Sequence, residues 1–369
     1  MKIIITLALL VCITAVEAQS NKSKQVVSDK PFKKAIQAAE KYIDSLQASQ
    51  HLPGISVCVG NRDKILWAEG FGYADLENKT PVTIHSVFRL GSVSKVVTSL
   101  AVGKLYQQRK LNLDAPVQQY LPYFPDKGYV ITARQLAGHI AGIRHYGKND
   151  PISVPKRYKN VKEGLSIFMN DSLIFKPGTS YSYSSYGYNL LSAVIEAAAE
   201  KDFLSYMRDS IFLPLGMTNT FPDYSDSIIP GRVRFYEILK TGETVNAALV
   251  DNSYKWAGGG FLSTPVDLVN MMRSLVNHQM LDNKTVELLF TDQKLENGKS
   301  TNVGIAWRIN ETKKGAKYIH HGGLIDGGRA FVFFYPESGY FFAITSNTSS
   351  ARLNVNEAAT ILSFFMDNK

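Results

Sequence analysis

The chain has 369 residues, 45% hydrophobic and 20% charged, with 27 Gly, 14 Pro and 2 Cys. It is too apolar and, at 11% Phe, Trp and Tyr, too aromatic for a disordered chain, and too poor in Cys for a disulfide scaffold. Lys and Arg number 41 against 32 Asp and Glu, a formal charge of +9 that raises nucleic acid, a membrane surface or a basic exported protein. The length suits about two domains, and a single long apolar run excludes a multi-span membrane protein.

That run opens the chain. Lys2 precedes Ile3–Val16, apolar except for Thr6 and Thr14, and Val16-Glu17-Ala18 puts small residues at −3 and −1 of a cleavage point near Ala18. Residues 1–18 are therefore expected to be a secretory signal peptide. The protein is then secreted or periplasmic, with no stable membrane span after cleavage. A mitochondrial transit peptide fits poorly, because such peptides are Arg-rich and the first Arg is Arg62. Cleavage removes Cys12 and leaves Cys58 unable to close an internal disulfide. In the apolar stretch Ile55–Val59, Cys58 is expected to be a buried structural thiol.

A polar linker is expected over 19–30. Phe32, Ile36, Ile43 and Leu46 then fall on one helical stripe. Pro53-Gly54 ends it, and strand-like runs follow at Ile55–Val59 and Ile65–Ala68. Thr132 with Gln135, and Thr264-Pro265 with Asp267, carry helix-start spacings. The charged run from Lys156 to Lys162 reads as a solvated loop. Ala330–Tyr335 and Tyr340–Ser346 are β-branched and aromatic, and Pro336-Glu337-Ser338-Gly339 between them makes a hairpin turn. A last helix is expected over Ala358–Phe365. This is an α/β (α+β) pattern: a sheet drawn from both ends of the chain and flanked by terminal helices. The sheet domain is expected over 31–91 and 251–369, with a mainly helical insertion over 92–250.

Chemistry concentrates in three segments. In Gly91-Ser92-Val93-Ser94-Lys95, Ser92 and Lys95 share one face of a helix beginning at Ser92. Unpaired backbone N–H groups and the helix dipole favour negative charge there, and desolvation would push Lys95 toward its neutral form. That is the logic of Ser-Lys nucleophilic catalysis. The second segment is the Tyr-rich run from Pro177-Gly178 to Gly187-Tyr188. The third is His320-His321-Gly322-Gly323-Leu324-Ile325-Asp326-Gly327. Adjacent His side chains point to opposite faces of a strand, and neither H-E-x-x-H nor a Cys cluster is present, so no metal and no cofactor is expected. His139 and His145 read as structural. Nucleic acid is not expected as a partner, because there is no P-loop, helix-turn-helix cue or dense Arg/aromatic interleaving.

Taken in order, Ser92-x-x-Lys95, Tyr183-Ser184-Ser185 and His321-Gly322-Gly323 resemble the serine beta-lactamase and penicillin-binding-protein superfamily, with its S-x-x-K, Y-x-N and K-T-G or H-x-G motifs. The chain is most similar to the class C-type group of DD-peptidases and esterases, through Pro177-Gly178, Gly187-Tyr188, Ala257-Gly258-Gly259 and Ser263-Thr264. Leu111–Val117 and Ile143-Arg144-His145-Tyr146 look closest to an animal mitochondrial branch. The resemblance implies a beta-lactamase/transpeptidase-like fold with an antiparallel sheet.

It also implies an acyl-enzyme on Ser92, with Lys95 as base partner and Tyr183 as proton relay. Tyr181 is the alternative to Tyr183, and His320 to His321, which would supply a polar or positive head. Backbone N–H groups of Ser92 and Leu324 would form the oxyanion hole, and Ser185, Gly322 and Gly323 would bind substrate. Ser185 stands where the family usually has Asn, which bears on recognition of a side-chain amide. No acidic deacylation element of the class A kind is present, so a small-molecule or peptide substrate, cleaved by peptidase or esterase action, is expected over efficient beta-lactam hydrolysis. A non-catalytic ligand-binding or assembly protein on the same fold is the alternative. Oligomeric state is not legible.

Overall fold

The structure is a computed structural model describing residues 26–148, 150 and 155–367. The expected signal peptide, its cleavage point, Cys12 and residues 19–25 of the expected linker lie outside the described residues. The end of that linker is not free chain. Val27–Ser28 (β1) pairs with Ala68 and Trp67.

The expected first helix spans Lys33–Gln50 (α1), and its inner stripe is Ala35, Ile36, Ala39, Ile43 and Leu46. It ends at His51, in the left-handed region at φ 54°. Gly54–Gly60 (β2) and Ile65–Asp75 (β3) follow, and Thr80–Pro81 (β4) pairs with β3. β3 runs well past Ala68. Glu69, Gly70 and Gly72 hide the strand pattern in the sequence, yet Glu69 is buried and its Oε2 accepts from Trp67 Nε1 at 3.2 Å.

Near the other end of the chain come Arg308–Glu311 (β5), Lys317–Ile325 (β6), Gly328–Tyr335 (β7) and Tyr340–Ser346 (β8). The expected hairpin joins the last two. Gly339 takes φ 68° and donates its N–H to Tyr335 O at 2.8 Å. The sheet runs β1-β3-β2-β8-β7-β6-β5, antiparallel throughout, with Ile55 opposite Ser346 where the two ends of the chain meet.

Strand alternation gives the sheet two different faces. Ile55, Val57, Val59, Phe331, Phe333, Phe342 and Ile344 pack with α1 and with the last helix, Val355–Met366, in one core. Phe32 stacks on Phe365 with ring centroids 5.9 Å apart, joining the two ends of the chain. Cys58, Ala68, Ala330, Val332 and Ala343 face the other way, toward Val93–Gln107 (α2) and Pro265–Val276. Cys58 is buried there as a free thiol, and desolvation pushes its pKa up.

Between the two halves lie α2, Ser185–Ala199 (α3) and several short helices. Thr132 and Gln135 form a reciprocal capping box, and Thr264 Oγ1 accepts from Asp267 N at 3.2 Å. Part of this stretch is not helical. Tyr236–Ile238 and Thr244–Asn246 form a hairpin that reaches the sheet layer through Tyr236 N–H to Asn347 O. A small three-stranded sheet also joins Phe88–Arg89, Phe261–Ser263 and Phe221–Pro222.

Candidate active site

α2 enters the protein interior at its first turn. Val93 to Val102 are all buried, because this helix threads between the sheet and the helical layer. Gly91 takes φ 48°. A side chain at Gly323 would collide with the Leu90 carbonyl, and one at Gly91 would lie 2.8 Å from Leu324 N. The two glycines therefore let β6 lie directly against the Ser92 turn. The close approach explains glycine at both positions.

Ser92 caps α2, and Lys95 sits one turn on. Lys95 is fully buried, and its Nζ donates to Ser92 Oγ (3.1 Å), Ser185 Oγ (3.0 Å) and Gly258 O (2.6 Å). Two hydroxyls and a carbonyl do not neutralise an ammonium. Desolvation, with the positive field of Arg308 added, holds Lys95 well below the usual lysine value of 10.5. Tyr183 Oη donates to Ser92 Oγ at 2.6 Å. Burial pushes its phenol up to about 12, so it stays protonated at neutral pH. Ser92 Oγ is thus held between an amine that releases protons easily and a phenol that does not.

Tyr183, not Tyr181, reaches Ser92. Tyr181 packs edge-on to His139 instead. Of the two adjacent histidines, His321 is the one turned inward, with its ring centroid 6.4 Å from that of Tyr183. His320 faces the other side, where Nε2 meets Asn310 Oδ1 at 2.9 Å. His321 is buried, and desolvation together with Lys95 and Arg308 depresses its pKa well below 6.5. The ring is neutral at physiological pH, which removes the positive option for this head. Its Nδ1 lies 2.7 Å from Gly322 O, which can only accept, so Nδ1 carries the proton.

A cavity of about 320 Å³ opens on Ser92, lined by Gly91, His145, Tyr146, Tyr183, Ser185, Lys255, Gly258, Gly259 and Leu324–Asp326. Several of these were not legible as site residues. Lys255 is buried with its ammonium 5.1 Å from the Tyr254 ring, and desolvation lowers it to about 8 against the favourable charge of Asp326. Arg308, on the edge strand β5, holds its guanidinium 5.9 Å from the Tyr183 ring. His145 belongs to the cavity wall and not merely to the scaffold. His139 does fit the structural reading: it is buried, and its Nδ1 accepts from Ser184 N at 3.1 Å. The nearest sequence cues were Lys255 just ahead of Ala257-Gly258-Gly259 and His145 beside Tyr146. Among the described residues, no group of three or more His, Cys, Asp or Glu is placed to hold a metal.

A serine hydroxyl flanked by a depressed lysine and a tyrosine, against the strand β6, defines a class: this is a serine hydrolase. Residues 39–363 match the family described as Beta-lactamase, and the chain belongs to that family, within the serine beta-lactamase and penicillin-binding-protein superfamily. The mouse protein named "Serine beta-lactamase-like protein LACTB, mitochondrial" is 30% identical, over 91% of this chain and 81% of its own length. A penicillin-binding protein of Bacillus subtilis is 28% identical, over 70% of this chain and 60% of its own. The fold recurs in the octameric penicillin-binding protein homologue from Pyrococcus abyssi, with TM-score 0.77 and 23% identity over 90% of this chain and 77% of that one. It recurs also in a penicillin-binding protein from Bacillus halodurans, with TM-score 0.75 and 22% identity over 88% and 99%.

Proposed function

We propose that the protein cleaves an amide or ester through an acyl-enzyme on Ser92. The observation that carries this reading is the opposed tuning of the two groups on Ser92 Oγ: Lys95 lowered, Tyr183 raised. Environments that push two titratable groups apart assign the base and the acid. In its neutral form Lys95 keeps two N–H donors for Ser185 Oγ and Gly258 O, and its lone pair takes the Ser92 proton as Oγ attacks the acyl carbonyl. The oxyanion develops toward the N–H groups of Ser92 and Leu324, the pair that the family resemblance implies, and fixed donors of this kind stabilise charge as it appears. Tyr183 passes a proton to the leaving amine or alcohol. Water then attacks the acyl carbon, giving a proton to the Tyr183 phenolate, while Lys95 returns its proton to Ser92 Oγ. Ser185 holds Lys95, and Gly322 and Gly323 present a strand edge along which substrate lies.

Peptidase or esterase action fits better than efficient beta-lactam hydrolysis. His321 is a neutral head, and the cation on the Tyr183 side is Arg308. Such a charge suits a leaving group that ends in a carboxylate, as in a carboxypeptidase substrate. Treatment with a fluorophosphonate probe, then peptide mapping, tests the acyl-enzyme. An adduct on Ser92 that disappears in Ser92→Ala is expected; absence of any adduct with fluorophosphonate, penicillin and cephalosporin probes overturns the reading. Turnover of a D-Ala-D-Ala peptide, peptide amides, a short-chain ester and a cephalosporin ranks the substrate classes.

Export is part of the proposal and rests on the Lys2, Ile3–Val16 and Ala18 pattern. No helix among the described residues is long and apolar enough to cross a membrane. Since the animal relatives are named as mitochondrial, mitochondrial import is the competing location. N-terminal sequencing of the mature chain separates the two: a start at Gln19 in a secreted fraction is expected, and a longer chain in mitochondria overturns it.

A further inference from the structure

We propose that His145 is a specificity-determining residue whose Nε2–H donates to a carbonyl in the acyl part of the substrate, so that the enzyme prefers peptide-like or N-acyl donors over plain alkanoyl ones. This rests on the acyl-enzyme reading and deepens it. Three contacts fix the ring. Its Nδ1 accepts from Ser185 N at 3.2 Å. One face stacks on Tyr146, with centroids 4.4 Å apart and planes at 27°, and the ring meets Tyr183 edge-on at 5.4 Å and 88°. The remaining edge, carrying Nε2, is left for the cavity that His145 lines together with Ser92 and Ser185.

The tautomer follows from the same contacts. An amide N–H cannot accept, so Nδ1 is the bare nitrogen, and the proton of the neutral ring sits on Nε2. Burial and the nearby Lys95 lower His145 to about 4, opposed only by Asp150. The ring therefore offers one fixed neutral donor across the physiological range. Lys95 Nζ and Tyr183 Oη are engaged with Ser92, Ser185 and Gly258. Ser185 Oγ accepts from Lys95, and the Lys255 ammonium lies over the rings of Tyr146 and Tyr254. A substrate carbonyl entering beside Ser185 meets His145. His139 shows the contrast. It has the same Nδ1 contact to the neighbouring amide, but its Nε2 is buried in the interior without a hydrogen-bond partner.

The test compares two p-nitroanilide or ester substrates matched in length, one with an acylamido carbonyl next to the reacting acyl carbon and one with methylenes in its place. Their kcat/KM ratio is measured in the wild type, His145→Phe and His145→Gln. Phe keeps the stack on Tyr146 and removes both nitrogens; Gln keeps a donor. The expected ratio favours the acylamido substrate in the wild type and falls about tenfold in His145→Phe, the size of one neutral hydrogen bond, with partial recovery in His145→Gln. A purely structural role would lower both substrates together and leave the ratio unchanged. An unchanged ratio in a His145→Phe enzyme whose Ser92 still reacts with fluorophosphonate overturns the proposal. Loss of labelling in the wild type instead overturns the acyl-enzyme reading, and this proposal with it.

Discussion

The two faces of the central sheet carry different burdens. On one, bulky residues (Ile55, Val57, Phe331, Phe333, Phe342) meet the stripes of the two terminal helices, and the buried Glu69 accepts from Trp67 Nε1 at its margin. On the other, small residues (Cys58, Ala68, Ala330, Ala343) alternate with Val332, Phe334 and Phe341, and α2 packs there with Ser94, Lys95, Thr98 and Ser99 buried along it. The first face is a packing solution. The second tolerates a desolvated lysine, which costs stability near neutral pH because the unfolded chain binds a proton more readily. The contrast shows where this fold holds its reserve of stability and where it spends some on chemistry.

Substitutions should separate the two faces. Ser92→Ala is expected to lower turnover about 10⁴-fold or more while the melting temperature stays within a few degrees, since one hydroxyl is lost and no cavity forms. Lys95→Met should lower turnover about 10³-fold or more, by removing the base. Its effect on stability has a sign that pH reveals. The folded-state pKa of Lys95 lies below 10.5, so wild-type stability falls as pH drops from about 10.5 toward that lower value. The variant should gain on the wild type across this range in urea titrations at pH 10 and pH 7. A gain that shrinks toward pH 7 would mean that Lys95 is charged in the folded protein.

On the opposite face, Phe365→Ala should cost about 3–5 kcal/mol in denaturant titrations, because Phe365 stacks on both Phe32 and Trp67. The kcat/KM of the folded fraction should stay within about twofold of wild type, and a large loss of activity would mean that the faces are coupled. The smallest effect is at Cys58. Iodoacetamide should leave this thiol unmodified in the native protein and label it fully in denaturant, given its burial and raised pKa.

The packing face was the legible one. α1, the last helix and the β7–β8 hairpin all advertise themselves by periodicity, caps and a Pro-Gly turn. Ser92 and Lys95 were legible from their spacing along one segment, and Tyr183 through the family resemblance of its segment. Lys255, Arg308 and His145 were not. Each comes from a different segment, and its relevance depends on which ring or strand it meets across the fold. The strands of the three-stranded sheet are two or three residues long, too short for any period to register. The full length of β3 was masked by glycines that serve contacts with other segments, as at Gly70 against Val82.

The pairing of β2 with β8, Ile55 opposite Ser346, has a consequence for biosynthesis. The centre of the sheet joins the first long strand to the last one, so it cannot close until nearly the whole chain has left the ribosome. Until then β2 and β3 form a hairpin with an open, apolar edge, and that edge is the natural target for chaperones and for aggregation. Such distant pairing slows folding. A slow-closing sheet also keeps the nascent chain loose for longer, the condition under which a polypeptide can be threaded through a membrane pore.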